Sequence, residues 1–260
     1  IRDGDGIFEK SSVYADNLPW PTAVFYYNGG IFVAATPDLL YLKDTKGDGK
    51  AELREIVATG FAEGVSRINV QGMPNSLIWG LDNRIHGASS ENGGVLKSVK
   101  DPSAKSLDLH GRDFVIDPRN LALTTEAGGG QHGLSFDNYG RRFACNNSDH
   151  IRLFMYDDHY AARNPYFGMP PVLESIAVDG PAAEVYRISP EEPWRVIRTK
   201  WRVSGVVPGI VEGGGRSAGY FTGATGTTIY RGNAFPKEFL DNAFVGHAGG
   251  NLVHRKVLVP

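Results

Sequence analysis

The sequence predicts an all-β fold, specifically a β-propeller, because one short strand pattern recurs along the chain at wide intervals. Each copy has a turn of Asn, Asp or Gly, followed by a short apolar strand that runs into small residues. The four copies lie at residues 30–36, 82–88, 138–145 and 241–247. The clearest spacings are roughly 50–60 residues, near the long end of propeller-blade repeats. Such repeats arrange blades radially and bring loops from every blade to one central mouth.

The composition fits a single domain rich in tight turns. The chain has 260 residues with 33 glycines and 15 prolines, which favours turns over long helices. No stretch is rich enough in proline, serine or charge to divide residues 1–260, and the chain begins at Ile1 and stops at Pro260 within the strand pattern. We therefore expect one propeller domain truncated at both ends, an incomplete blade set from a propeller of roughly six blades.

Charge, hydropathy and cysteine count exclude several classes of partner. The net charge is −2, so no basic field favours nucleic acid. No apolar run approaches the roughly 18 residues of a membrane-spanning helix. Cys145 is the single cysteine, which excludes an internal disulfide and a Cys-x-x-Cys-His haem attachment within this chain.

Local signals predict the individual elements. Residues 20–44 are predicted to form a hairpin meander, because Asn28-Gly29 between apolar runs is a strong hairpin signal. Further strands are predicted at 54–58, 113–118, 185–188 and 194–198, with a next blade at 75–100 and a last blade at 219–255. Residues 157–165 are predicted to form one short helix on an insertion at 146–180.

An acidic loop at residues 44–52 approximates a calcium-binding sequence. Calcium needs several hard oxygen ligands at about 2.3–2.6 Å, and a glycine permits the sharp turn between them. Near the liganding positions fall Asp44, Asp48, Glu52 and Glu55. Lys46, however, would bring a competing cation to the third position. The alternative is an acidic turn without metal, and residues 3–6 contain a shorter copy of the pattern.

His132 is the candidate catalytic base. It follows a run of three glycines and would stand where an inner strand begins at the channel mouth. A neutral imidazole there can accept a proton near pH 7. The alternative is a structural histidine beside glycines that pack closely at the axis.

The aromatic and arginine residues of the loops suit a saccharide. Rings stack on sugar faces, and planar guanidinium groups hydrogen-bond hydroxyls. The residues in question are Trp20, Tyr139, Arg142, Tyr160, Arg163, Trp201, Arg216 and Tyr220. The alternative is that these side chains pack the blades.

Several segments resemble one protein family. They are residues 12–22 (SVYADNLPWPT), 35–44 (ATPDLLYLKD), 79–82 (WGLD), 227–236 (TTIYRGNAFP) and 250–255 (GNLVHR). Together they are similar to the PVC-type proteins named as membrane-bound dehydrogenases, which are large secreted bacterial proteins. The resemblance implies a propeller joined, elsewhere in the protein, to helical repeats and a c-type cytochrome domain. It also implies a periplasmic or extracellular location.

The propeller of that family is similar in turn to the soluble PQQ-dependent sugar dehydrogenases. This likeness implies a catalytic histidine at the position of Gly72 and a PQQ-binding Arg-Asn pair at Gly129 and Gly130. Glycine has no side chain that can take a proton or bind a quinone carboxylate. Both functions are therefore missing from their expected places.

Two functions stay open at this point. The enzyme hypothesis is oxidation of a sugar or alcohol with PQQ and calcium, with electrons passed to the cytochrome domain. In that case His132 would be the base, Arg142 and Arg216 would bind the anionic cofactor or substrate, and the acidic loop would hold calcium. The alternative is a non-catalytic propeller module that binds carbohydrate or protein, and the glycine replacements favour it.

Overall fold

The computed structural model describes residues 10–161, 163–164 and 166–259, so the acidic copy at residues 3–6 lies outside the described residues. Within them, the strands form four antiparallel sheets, called here blades 1 to 4. Blade 1 contains β1 (Pro21–Tyr27), β2 (Gly30–Ala35), β3 (Asp38–Lys43) and β4 (Leu53–Phe61). Blade 2 contains β5 (Asn75–Trp79), β6 (Ile85–Ala88), β9 (Arg112–Asp117) and β10 (Ala122–Ala127). Between β6 and β9 the chain forms a hairpin of β7 (Gly94–Ser98) and β8 (Leu107–Asp108).

The second half of the chain forms two more blades. Blade 3 contains β11 (His132–Phe136), β12 (Arg142–Cys145), β13 (Arg152–Phe154) and β14 (Leu173–Ser175). Blade 4 contains β15 (Ala224–Ile229), β16 (Ala243–His247) and β17 (Leu252–Lys256). Two helices lie in the connections, α1 (Asp158–Ala161) and α2 (Pro193–Val203).

The first strands of successive blades lie side by side, in the order β1, β5, β11 and β15. The Asn75 side chain at the start of β5 donates to the Gln131 carbonyl at 3.0 Å and accepts from the Gly133 N–H at 3.0 Å. The Ser135 hydroxyl of β11 accepts from the Ile229 N–H of β15 at 2.9 Å. The innermost strands are therefore neighbours around one axis, and the predicted all-β propeller fold is confirmed. That the blade set is incomplete stays a prediction. We call the side where these first strands begin the upper face and the opposite side the lower face.

The recurrent pattern of the sequence is the second strand of each blade, namely β2, β6, β12 and β16. The turn before each of these strands contains a residue with positive φ: Asn28 (50°), Asn83 (60°), Gly140 (79°) and Asp241 (58°). Gly, Asn and Asp adopt this left-handed conformation at the least cost, so the same three residue types recur at the lower-face turns. In blade 1, Gly29 also has a positive φ of 78°, as a two-residue hairpin turn with the predicted Asn-Gly sequence requires.

The prediction that residues 75–100 form one blade is wrong for β7. This strand leaves blade 2, pairs with β4 and extends blade 1 at its outer edge, with β8 beyond it. The pairing needs a close backbone approach, because a Cβ on Gly94 would lie 2.2 Å from the Gly60 carbonyl oxygen. Both glycines also have a φ near 120°, which other residues rarely adopt. The hairpin thus covers an edge that would otherwise present unpaired backbone groups.

The predicted strand at 194–198 is also wrong, because these residues begin α2. Pro193 occupies the first turn, where its fixed φ and missing N–H are tolerated, and the helix then runs to Val203 without Gly or Pro. The predicted strand at 185–188 does not form either, and the neighbouring Glu184 makes only an isolated bridge with Tyr220. The short helix predicted within 157–165 is present as α1.

The blade interfaces differ in what fills them. Large buried side chains such as Phe32, Phe61 and Phe114 pack between blades 1 and 2. Between blades 2 and 3, three of the six buried core residues are alanines, namely Ala88, Ala127 and Ala144. This second interface therefore leaves room for polar side chains toward the lower face. No helix in the described part of the chain is both long and apolar enough to cross a bilayer.

Candidate functional site

The structure does not bring together the three residues predicted for catalysis and cofactor binding. His132 begins β11 at the upper face. Arg142 lies on β12, where its backbone is in register with Phe136 at the lower end of β11. Four residues of strand separate the two positions by roughly 13 Å. Arg216 is exposed in the connection before β15 and pairs with Glu184 at 3.1 Å. These residues therefore do not fit a single PQQ site.

His132 is half-buried, and burial lowers its pKa although the charge of Glu91 opposes the shift. The imidazole is therefore neutral at physiological pH, as a base requires. Among the described residues, however, no side chain hydrogen-bonds this ring to orient it. Gly129 and Gly130 lie just before it in the connection from β10, so they add no functional group. His132 as catalytic base stays a prediction.

The acidic loop lies on the lower face between β3 and β4. Asp44, Asp48 and Glu52 offer carboxylate oxygens that lie within 4.8 Å of one another. Asp44 already accepts the N–H groups of Gly47 and Gly49 at 2.6 and 2.7 Å, and these hydrogen bonds lower its pKa. The Lys46 ammonium lies 3.6 Å from Glu52. Glu55 does not join the group, because it lies on β4 and pairs with Lys100 at 2.6 Å. Calcium binding here stays a prediction.

A cleft of about 410 Å³ opens between blades 2 and 3, and we call it the inter-blade cleft. Three segments at the lower face build it: the β5–β6 turn, the β11–β12 turn and the residues that follow β13. Their contributions are Leu81, Asp82, Tyr139, Gly140, Arg141, Met155, Tyr156, Asp157 and Tyr160. Each segment leaves its blade at the same edge, so residues distant in sequence meet in one site.

A largely buried ionic cluster lines the same cleft. His86 Nδ1 lies 3.0 Å from Glu126 Oε1, and His86 Nε2 lies 3.1 Å from Asp82 Oδ1. Arg142 pairs with Glu126 and donates to the Ala127 carbonyl. The Arg142 guanidinium also lies 3.8 Å from the centre of the Phe154 ring. Every charged group of the cluster therefore has a partner, as burial requires.

The carboxylates around His86 decide its charge. Burial alone would lower the pKa of His86, but the hydrogen bonds and charges of Glu126 and then Asp82 outweigh it and raise the pKa. Asp113 lies beside the cluster, opposite Glu126 in the β9–β10 register. Burial, reinforced by the charge of Glu126 and opposed by that of Arg142, raises the pKa of Asp113 to about 7. The cluster thus favours an imidazolium at His86 and a protonated carboxyl at Asp113 below neutral pH.

The rim of the inter-blade cleft is aromatic and more exposed. Tyr139 is 78% exposed and Tyr160 is 53% exposed, so both present ring faces to solvent. The Tyr156 hydroxyl donates to the Pro170 carbonyl, which holds that ring in place. Arg141 donates to Asp137 at 2.5 Å, with its guanidinium 5.4 Å from the Tyr139 ring centre. Three of the eight residues predicted to suit a saccharide, Tyr139, Arg142 and Tyr160, thus line one cleft.

Sequence reasoning missed His86, although the repeat carries a signal for it. Counting from the last positive-φ residue of each turn, the third residue is Phe32, Phe143 or Phe244 in blades 1, 3 and 4. Blade 2 has His86 at this position. One position earlier, blade 3 has Arg142 where the other blades have Ile or Ala. Both departures from the apolar pattern point to the interface between blades 2 and 3.

Comparison with known proteins adds a family match and two distant structural likenesses. The family described as "Domain of unknown function (DUF7133)" matches residues 2–260. No curated protein matches the sequence at a significant level. A luciferin-regenerating enzyme is similar with a TM-score of 0.42 at 9% identity, over 90% of this chain and 58% of that one. The glutaminyl cyclase of Myxococcus xanthus has a TM-score of 0.27 at 10% identity, over 93% of this chain and 92% of its own.

The family match places the chain among related sequences, but it assigns no function. The chain spans 58% of the length of the luciferin-regenerating enzyme, and neither structural likeness is close enough to bear on function. The resemblance to PVC-type dehydrogenases is not addressed by them and stays a prediction.

Proposed function

Because the chain belongs to the DUF7133 family, a domain of unknown function, we propose a function from its own geometry: it is a carbohydrate-binding module that holds a saccharide in the inter-blade cleft. The observation that carries the proposal is the lining of this cleft. Exposed tyrosine rings, Tyr139 and Tyr160, surround a fixed cluster of charged planar groups in a space of about 410 Å³. Pockets of this size and mixed chemistry are typical of small-molecule sites.

The chemistry of the lining suits a sugar in two respects. Tyrosine rings offer flat apolar faces against the C–H face of a pyranose, at a low cost in side-chain entropy. Asp82, Asp157 and Arg141 offer acceptors and donors at the rim, where vicinal hydroxyls can bridge them. The charges of the lining also balance when His86 is protonated, so the cleft favours a neutral ligand.

The same cluster argues for binding without chemistry. Both ring nitrogens of His86 are occupied by carboxylates, so the imidazole has no free position from which to exchange a proton with a ligand. Arg142 is held by Glu126, Ala127 and the Phe154 ring. These contacts fix the shape of the cleft, and a pre-formed cleft lowers the entropy lost on binding.

Removal of the two rim rings should abolish most of the binding. We expect an oligosaccharide panel, screened by calorimetry, to contain a ligand whose affinity falls roughly 5- to 150-fold in the double variant Tyr139→Ala/Tyr160→Ala. Each stacked ring contributes about 0.5–1.5 kcal/mol, and about 1.4 kcal/mol is a tenfold change in Kd. Tyr186→Ala is the matched control, because Tyr186 is 87% exposed and lies outside the cleft. Equal weakening in the control, or no ligand in the panel, would contradict the proposal.

The second candidate function is oxidation of a sugar or alcohol, and the observation that favours it is the half-buried His132 at the start of β11, whose pKa is lowered by burial. Under the binding proposal, the protein supplied with PQQ and calcium should not reduce a dye over the same sugar panel. Turnover that is lost in His132→Ala but kept in Tyr186→Ala would replace the binding module with an enzyme. The cytochrome domain and the calcium loop are parts of this second hypothesis, whereas a location outside the cytoplasm is implied by the family resemblance under either function.

A further inference from the structure

A second cleft, of about 490 Å³, lies at the upper face, and we call it the mouth cleft. It is built by the connections that lead into β5, β13 and β15, by the β16–β17 turn and by α2. Its polar lining consists of Gln71, Asn147, Arg195, Arg198, Arg202, Glu212 and Thr222. Because it joins connections from blades 2, 3 and 4, it lies where the first strands of these blades converge.

Three arginines of α2 line the mouth cleft from one side of the helix. Arg195, Arg198 and Arg202 are spaced three and four residues apart, which places them on one helical face. The Trp194 ring supports two of them, with its centre 5.1 Å from the Arg195 guanidinium and 4.7 Å from that of Arg198. The stacking orients both guanidinium groups before any ligand arrives.

The positive charge in this cleft is not balanced. Arg195 is paired with Glu192 at 3.2 Å, but among the described residues neither Arg198 nor Arg202 forms an ion pair. Glu212 is the acidic residue in the lining, and its carboxylate lies within 3.5 Å of the hydroxyls of Ser148 and Thr222. Two guanidinium groups are therefore left without a carboxylate partner.

The surroundings make this arrangement costly in the absence of a ligand. Arg198 is half-buried, and its Nε is shielded from solvent without a hydrogen-bond partner. Burial, and then the charges of Arg202 and Arg195, lower the pKa of Arg198, although Tyr220 and Glu212 oppose the shift. A buried donor without a partner and a like-charge cluster both cost free energy that a bound anion would return. Gly223 and Gly249 line the same cleft and have no side chains to fill it.

We propose that the mouth cleft binds a ligand with two or more oxyanion groups, carboxylates or sulfates, held by Arg198 and Arg202. Each planar guanidinium can receive such a group through two parallel hydrogen bonds. Asn147 and Thr222 provide further polar contacts in the same cleft. The site is distinct from the inter-blade cleft, since it lies on the opposite face and uses other elements.

The test uses citrate as the probe, with sodium chloride at matched ionic strength as the reference. We expect citrate to raise the melting temperature in a saturable way and to change the Trp194 fluorescence, a signal that Trp194→Phe removes. The double variant Arg198→Gln/Arg202→Gln should weaken citrate binding at least tenfold. Arg216→Gln removes one charge outside the cleft and is the matched control, with affinity within twofold of wild type.

A lysine variant and a second ligand test how the anion is held and which class of ligand binds. The charge-preserving variant Arg198→Lys/Arg202→Lys should bind with intermediate affinity, because lysine cannot form the paired hydrogen bonds. Oligogalacturonate that binds more tightly than citrate would identify an acidic saccharide as the ligand, and the reverse order would identify a free polycarboxylate. An equal response in the Gln double variant, or an equal loss in Arg216→Gln, would overturn the site.

The two proposed sites can fail independently. The Gln double variant should keep its neutral saccharide affinity in the inter-blade cleft, and the Tyr139→Ala/Tyr160→Ala variant should bind citrate as wild type does. If the saccharide panel yields no ligand while citrate binds as described, the carbohydrate proposal fails and the anion site stands.

Discussion

Replacement of His150 by leucine should make the protein more resistant to acid, by about 3 kcal/mol of unfolding free energy between pH 7 and pH 4. His150 is fully buried and stacks on Phe221, with ring centres 4.3 Å apart and planes 5° apart. Neither ring nitrogen has a hydrogen-bond partner. Burial, with the positive charge of Lys256, lowers the pKa of His150 to about 4, although the charge of Asp179 opposes the shift.

The loss of stability at low pH follows from the difference between the pKa of His150 in the folded protein and that of a histidine in the unfolded chain. In the unfolded chain a histidine titrates near 6.5, so between pH 6.5 and 4 the unfolded state binds a proton that the folded state does not. The unfolding free energy of the wild type therefore falls as the pH drops through this window, and leucine removes that contribution. A shift of about 2.5 units at about 1.4 kcal/mol per unit gives the stated magnitude.

The measurement is denaturant unfolding of variant and wild type at pH 7, 5.5 and 4. The difference between their unfolding free energies should move in favour of His150→Leu by about 3 kcal/mol as the pH falls. His110→Leu is the matched control, because His110 is exposed and bonds to Asp108 at 2.6 Å. If the difference between His150→Leu and wild type were the same at all three pH values, the buried imidazole would not be the acid-sensitive group.

The sequence predicts correctly those turns and strands that depend only on residues a few positions apart. The Asn28-Gly29 turn and the strand pattern that follows it depend on positive φ and on apolar residues a few positions away, and both are visible in the sequence. The strand predicted at 194–198 is wrong because tryptophan, valine and isoleucine favour strands in isolation, whereas the segment is helical. Pro193 at the first turn and the face of three arginines outweigh that preference in α2.

The site depends on contacts that the sequence pattern does not contain. His86 meets Glu126 across 40 residues, through the register that pairs β6 with β9 and β9 with β10. Arg142 enters the same cluster from the next blade. The sequence marked Arg142, Tyr139 and Tyr160 as chemically suitable, but which of the eight candidate residues share a cleft follows only from the packing of blade on blade.

Replacement of Asp113 by asparagine should have the opposite dependence on pH. Asp113 is 1% exposed, and its carboxylate accepts the Ser89 N–H at 3.1 Å. Its folded pKa of about 7 lies above the ordinary value of 3.8, chiefly because of burial. Between these values the folded state binds the extra proton, so this residue's contribution to stability is complete below pH 3.8 and is lost as the pH rises through 7.

The loss amounts to about 4 kcal/mol, since the shift is about 3 units at about 1.4 kcal/mol per unit. Relative to wild type, the unfolding free energy of Asp113→Asn should therefore rise by this amount between pH 4 and pH 8, whereas that of Asp101→Asn, in an exposed turn, should change little.

In the wild type the contributions of Asp113 and His150 to the pH dependence of the unfolding free energy nearly cancel, so a flat pH profile would conceal both. The two single variants separate these contributions, and because the two residues lie in different blades, their effects should add in the double variant. A double variant whose pH dependence departs from the sum of the single variants by more than about 1 kcal/mol would show that the two titrations are coupled.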